Sequence, residues 1–153
     1  MHLPYKEGTW FAVPLRGGGY AAGVVTRLVP TQGKIVLAYF FAPKRDFVPQ
    51  LSDVADLTSR SAIKIARVGD LGIIDGSWPI IGELPRWNRD DWPMPTFIRK
   101  DDLSNTAWRV QYSDSNPNQV ISERLIPFDS SEYEKDSLLG AGAAEIIISR
   151  MLN

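Results

Sequence analysis

Strand-like patterns of aromatic and β-branched residues dominate the first third of the chain. The runs TWFAVPL (Thr9–Leu15) and YAAGVVTRLV (Tyr20–Val29) have the composition of strands. Glycine-bearing turns, RGGG and PTQG, separate them from each other and from a third run, IVLAYFF (Ile35–Phe41). Because this third run is apolar on both faces, we expect it to be central in a sheet or covered by another element. The three runs together predict an antiparallel meander.

Shorter strand patterns follow along the rest of the chain. They are Ala62–Val68, Leu71–Ile74, Trp78–Leu84, Ala107–Tyr112 and Val120–Pro127. The dipeptide Asp75-Gly76 is a strong hairpin signal, so we expect Leu71–Ile74 and Trp78–Leu84 to form one hairpin. We further expect Trp78 to anchor this hairpin to the core.

Two segments carry helix signals. Ser52 is placed to cap a short helix over Asp53–Leu57. Asp129 and Glu132 have the spacing of a capping box, which predicts a carboxy-terminal helical region ending at about Leu152.

The predicted fold class is α+β. Pro14 and Gly23 interrupt regular pairing, so we expect an antiparallel meander in a small curved sheet. A short helix and a carboxy-terminal helix pack on it. A length of 153 residues suits a single domain, predicted to span residues 1–153.

Composition narrows the class of protein. Apolar residues make up 44% and charged residues 23% of the chain, which is typical of globular domains. The net charge of −1 gives no electrostatic footprint for nucleic acid, so we do not expect a nucleic-acid partner. The start of the sequence has no basic and apolar leader, and no apolar run approaches the roughly 20 residues of a membrane span. We therefore expect a soluble cytoplasmic protein without a membrane partner; its oligomeric state stays open.

The residue inventory argues against most catalytic chemistry. His2, the only histidine, lies at a terminus that we expect to fray, and cysteine is absent. We therefore expect neither a serine–histidine–aspartate triad nor a thiolate or histidine-rich metal site. Several carboxylates remain that a hydrolase or an oxygen-ligand metal site could use: Asp70, Asp75, Glu83, Asp90 and Asp91. Turn chemistry and neighbouring arginines explain them more simply. We therefore predict no catalytic residue, no metal and no cofactor.

The loop PRWNRDDWPMP, which follows the predicted hairpin, is rich in both aromatic and charged residues. Tryptophan and arginine dominate the residues that contribute most to protein binding, so this loop is the best candidate for partner contact. The predicted contact residues are Arg86, Trp87, Arg89, Asp90, Asp91 and Trp92. The alternative is that both indoles pack back onto the sheet, and a mixed arrangement with one ring inside and one outside also fits.

Several stretches together resemble the immunity protein 26 family of bacterial polymorphic toxin systems. They are YKEGTWFAVPLRGGGYAAGVV, LAYFFAP and VGDLGIIDGSWPIIGELPRWNRDDWPMPTF. The family-like pieces map onto Gly8–Leu15, Ala38–Pro43, Gly69–Gly82 and Trp92–Phe97. Ala38 stands where the family pattern has glycine. The resemblance covers roughly the first hundred residues.

The resemblance implies a non-enzymatic cytoplasmic α+β protein that binds and neutralises a cognate toxin protein. Two other classes stay open on the residues alone. One is a small β-barrel-like module that binds nucleic acid or a peptide through the aromatic face of the meander. The other is an enzyme that uses Asp70, Asp75 or Asp90-Asp91.

Overall fold

The computed structural model describes residues 2–153, which form two β-sheets and three helices. The strands are β1 (Thr9–Pro14), β2 (Tyr20–Leu28), β3 (Ile35–Arg45), β4 (Ala62–Gly69), β5 (Ile80–Glu83), β6 (Phe97–Asp101), β7 (Thr106–Ser113), β8 (Asn116–Ile126), β9 (Glu134–Lys135) and β10 (Leu138–Leu139). The helices are α1 (Leu51–Val54), α2 (Leu71–Asp75) and α3 (Ala141–Leu152). Single 3-10 turns occupy Ser59–Ser61 and Arg89–Asp91.

The larger sheet has six strands in the order β10-β4-β3-β2-β1-β5, and the smaller has four in the order β8-β7-β6-β9. Consecutive strands β1 to β4 pair antiparallel, as the meander prediction requires. Both sheets are nevertheless mixed, because β10 pairs parallel to β4 and β9 parallel to β6. The predicted α+β class is therefore confirmed. The predicted antiparallel meander is correct for β1 to β4, but the sheets as a whole are mixed.

Strand β3 is central and buried on both faces, as its uniformly apolar sequence predicts. Phe40 belongs to a core cluster that also contains Ile148 of α3. Tyr39 belongs to a second cluster, which includes Phe97 and Val110 of the smaller sheet. The six-stranded sheet thus separates two cores, with α3 on one side and the four-stranded sheet on the other.

The predicted strand over Leu71–Ile74 is wrong, because this segment forms helix α2. Its burial follows a helical turn, with Ile73 buried and the side chains of Leu71 and Ile74 exposed. The helix ends at Gly76, which adopts a left-handed φ of 84°. An Asp-Gly pair serves a hairpin turn or a helix end, and here it ends a helix. Trp78 is fully buried, as expected, and stacks on Phe11 with ring centroids 5.5 Å apart.

The carboxy-terminal helix begins at Ala141 rather than at Asp129. The intervening segment instead contributes β9 and β10, whose parallel pairing with β6 and β4 satisfies its backbone groups. Gly140 takes the N-cap position of α3. Strand β6 is a further difference, since no strand was predicted over Phe97–Asp101.

The short helix α1 begins at Leu51, two residues before the predicted start. The Asp53 carboxylate accepts a hydrogen bond from the backbone N–H of Gln50 at 2.8 Å, so Gln50 rather than Ser52 takes the N-cap position. Helix α3 is the longest of the three, with 12 residues. None of the helices within residues 2–153 combines the length and the apolar character that crossing a membrane requires.

Candidate partner-binding site

The loop between β5 and β6 is anchored by Trp92. Its side chain is only 7% exposed and packs edge-on against three aromatic rings of the six-stranded sheet. Ring centroids lie 5.9 Å from Trp10, 5.3 Å from Tyr39 and 5.9 Å from Phe41, with near-perpendicular planes. The Tyr39 hydroxyl also donates to the carbonyl of Pro93, the next residue of the loop. Trp92 therefore fixes the loop to the core.

Trp87 is the outer of the two indoles. Its ring stacks on Trp92 with centroids 5.7 Å apart and 13° between the planes. The side chain is half-buried and its Nε1 has no hydrogen-bond partner among the described residues. The two tryptophans thus form a stack that runs from the core towards the surface. Both indoles pack back onto the core, as one of the sequence-based alternatives has it, and part of the Trp87 ring stays exposed.

Arg89 ties the loop to two distant parts of the chain. Its guanidinium donates to both carboxylate oxygens of Glu7, at 3.0 and 3.2 Å. It also donates to the carboxylate and the carbonyl of Asp114, at 2.6 and 2.9 Å. Hydrogen bonding to Glu7 is the largest cause of a raised Arg89 pKa. The Asp114 carboxylate is shared with Arg27, whose side chain is 3% exposed. These contacts hold the loop at its middle.

The charged side chains at the loop surface are Arg86, Asp90 and Asp91, which are all exposed. Within residues 2–153 none of the three forms an ion pair. The backbone between them is ordered by a 3-10 turn, in which the Asn88 side chain accepts a hydrogen bond from the Asp90 N–H at 3.1 Å. The loop therefore presents one cation and two anions on a defined backbone.

The loop forms a ridge between two open clefts. The first cleft, of about 590 Å³, is lined by Arg86, Trp87, Asp91 and Trp92 together with Arg60 from the segment after α1. The second, of about 380 Å³, is lined by residues that include Arg89, Asp90 and Ile121. All six predicted contact residues consequently line one cleft or the other. The first cleft has an aromatic floor and a charged rim, which suits an inserted side chain or loop of another protein.

The sequence did not identify the supports of this loop. Glu7 and Asp114 lie 82 and 25 positions from Arg89, and no local pattern connects them. Trp87 packs against Gly8, which is the first residue of the family-like strand motif. That motif was the one feature of the sequence that pointed to a support of the loop.

The carboxylates considered for catalysis are separated in the structure. Asp70, Asp90 and Asp91 each line a different cleft. Asp70 accepts a hydrogen bond from the Tyr5 hydroxyl at 2.8 Å, and burial is the largest cause of a raised Tyr5 pKa. Asp75 accepts from the backbone N–H of Ser77, which lowers the Asp75 pKa. Asp70 and Asp75 thus have structural roles in holding turns.

Five of the six aromatic residues of the meander are core residues, and the sixth, Tyr20, is half-buried. Trp10, Phe11, Tyr39, Phe40 and Phe41 are each at most 1% exposed. A stacking platform for bases requires several exposed rings, so these five residues, which lie in two separate cores, do not offer one.

Comparison with models of known protein families matches residues 6–109 to the family described as Immunity protein 26. This segment runs from before β1 into β7 and includes the whole Trp87–Trp92 loop. Comparison with curated proteins and with solved structures gave no match. The matched segment covers more than half of the chain and coincides with the stretches that carry the motif resemblance. The chain belongs to the immunity protein 26 family.

Proposed function

We propose that this protein is a non-enzymatic inhibitor that binds a cognate bacterial toxin domain and neutralises it in the cytoplasm. The observation that carries the proposal is the family match over residues 6–109. The contact surface in this proposal is the loop Arg86–Trp92 with its two flanking clefts.

The geometry of the loop supports a binding role. A loop that is rigid before binding loses little conformational entropy when the partner arrives. The Trp87–Trp92 stack and the Arg89 contacts to Glu7 and Asp114 both restrict this loop. Exposed Arg86, Asp90 and Asp91 then supply directional contacts at the rim, where charges set specificity and association rate.

The charges of the ridge indicate the chemistry of the partner surface. Asp90 and Asp91 are adjacent carboxylates, so the matching toxin surface is expected to carry lysine or arginine. The half-buried edge of Trp87 faces the first cleft and suits an apolar side chain near those cations. This combination favours occlusion of the toxin by a stoichiometric complex.

Co-expression tests the proposal. A toxin domain encoded next to this gene is expressed in bacteria alone, with the wild-type protein, or with a variant carrying Asp90→Lys and Asp91→Lys. We expect growth only with the wild-type protein, together with retention of the toxin in a pull-down. Absence of both protection and retention with the wild-type protein would contradict the proposal.

A further inference from the structure

The outer face of the four-stranded sheet carries a row of cations. Ile98 of β6 pairs with Arg109 of β7, and Arg109 pairs in turn with Arg124 of β8. On the other side of β6, Ile98 pairs with Lys135 of β9. Paired residues project from the same face, so Lys135, Arg109 and Arg124 lie in one row across the sheet. Lys100, two residues after Ile98, adds a fourth cation to this face.

No acidic residue of the four strands shares that face. The acidic residues of β6, β8 and β9 are Asp101, Glu123 and Glu134, and their register places all three on the opposite face. Two carboxylates outside the strands, Asp102 and Asp136, line a cleft of about 450 Å³ with Lys100 and Lys135, and Asp136 is already paired with Arg67 at 3.2 Å. The face therefore carries an excess of positive charge in a protein whose net charge is −1.

The arginines at the centre of the row are unfavourably placed in the isolated protein. Arg109 and Arg124 are directly opposite each other, and such like-charge pairs destabilise a sheet. The ion pairs found within residues 2–153 involve none of the four cations. The Arg109 Nε is buried and has no hydrogen-bond partner there. An anionic partner bound at this face would relieve the repulsion between the two arginines.

We propose that this basic face binds an acidic surface of the toxin partner, which makes it a second contact beside the loop. The inference rests on the proposed function. The four strands place no aromatic side chain on this face, and of the two rings beside it Phe128 is already covered by Lys100, 5.1 Å from its centroid, which leaves Tyr133 as the one further ring in the cleft with Lys100 and Lys135. Binding of single-stranded nucleic acid uses several exposed rings in succession, which favours a protein partner here. The net negative charge of the protein also disfavours the approach of a long polyanion. A limited acidic patch on a protein matches four cations better.

The basic face is continuous with the loop site. Gln111 follows Arg109 on the same face of β7 and lines the second cleft, which Asp90 also lines. One partner can therefore contact the acidic ridge and the basic face across this cleft. Such a bipolar surface fixes the orientation of the partner as well as attracting it.

Binding of a labelled deca-glutamate peptide, measured by fluorescence anisotropy at low salt, tests the chemistry of this face. The variant Arg124→Glu/Lys135→Glu is compared with the matched control Lys44→Glu/Arg150→Glu, which reverses two exposed cations outside the face. We expect the first variant to bind the peptide at least about fivefold more weakly than the control. We also expect a single-stranded oligonucleotide of about ten nucleotides to bind the wild-type protein more weakly than the peptide does. Equal peptide affinity for the two variants, or tighter binding of the oligonucleotide, would overturn the proposal.

The toxin itself provides the second measurement. Arg124→Glu/Lys135→Glu is expected to slow association with the co-encoded toxin domain by about tenfold at low salt, with the difference vanishing at high salt. Toxin binding that this variant leaves unchanged overturns the present inference alone. Failure of the wild-type protein to bind the toxin overturns the proposed function as well, so the two failures are distinguishable.

Discussion

Gly8 lies against the indole of Trp87 so closely that a Cβ atom at residue 8 would be 2.9 Å from the ring. Gly8 also has a φ of 92°, in the region that favours glycine. The stack of Trp87 on Trp92, and with it the shape of the loop, therefore depends on the absence of one side chain in the segment before β1.

Gly8→Ala is expected to destabilise the protein by about 2 kcal/mol or more, because overpacking against Trp87 adds to the cost of a left-handed backbone. Gly18→Ala is the matched control, since Gly18 has a φ of 105° but nothing within 4 Å of its added Cβ. The control loses about 1 kcal/mol from the backbone cost alone. Urea unfolding followed by tryptophan fluorescence measures both. Equal losses in the two variants would show that the Gly8–Trp87 contact is not tight.

Arg89 and Glu7 are expected to be energetically coupled. A double-mutant cycle with Arg89→Ala and Glu7→Ala should give a coupling energy of about 0.5–1 kcal/mol, since the pair is bidentate but partly exposed. The same cycle with Arg86→Ala in place of Arg89→Ala is the control, because Arg86 is exposed at the loop surface. Its coupling should be near zero. A coupling energy for Arg89 no larger than that control would contradict its role in holding the loop.

Stability is expected to fall at alkaline pH because of Tyr39 and Tyr112. Burial is the largest cause that raises the pKa of each to about 12, and the hydrogen bond that Tyr112 donates to Asp136 contributes further. In the unfolded chain a tyrosine ionises near pH 10. The contribution of these hydroxyls to the free energy of unfolding is therefore fully present below about pH 10. It is lost progressively as the pH rises towards 12.

The measurement is the free energy of unfolding between pH 8 and 11.5. Tyr39→Phe removes one of the three hydroxyls whose pKa folding raises, the others being those of Tyr5 and Tyr112. Its stability should therefore decline less steeply above pH 10 than that of the wild-type protein. A decline of equal slope in both proteins would assign the alkaline loss to other groups.

The single-domain organisation stays a prediction. Residues of β3 contribute to both cores, so loss of either core should disrupt the other. We expect far-ultraviolet circular dichroism and tryptophan fluorescence to report one coincident transition in urea. Two separated transitions would indicate two independently folding units.

Sequence patterns predicted the elements whose signals are local. Strands β1 to β4 follow aromatic and β-branched runs between turns, and the burial of β3 on both faces followed from its apolar sequence. Strands β9 and β10 have two residues each and exist because they pair with distant β6 and β4, so no local period marks them. Helix α2 was missed because Asp75-Gly76 is compatible with a turn as well as with a helix end.

Composition alone marked the loop as the candidate site, but it did not predict the packing that holds the loop in place. Two tryptophans among charged residues marked the loop, whereas the stacking of Trp87 on buried Trp92 depends on Trp10, Tyr39 and Phe41 from three-dimensional packing. The basic face could not be predicted from the sequence either, because only the strand register brings Lys135, Arg109 and Arg124 into one row.

Isothermal titration of the co-encoded toxin domain into the purified protein tests the central claim most directly. We predict a complex of one toxin to one inhibitor, with a dissociation constant of about 1 µM or lower. The variant Asp90→Lys/Asp91→Lys should bind at least about tenfold more weakly at an unchanged melting temperature, because both carboxylates are exposed at the ridge and are rim charges. An absence of binding by the wild-type protein, or equal affinity of the folded variant, would contradict the account.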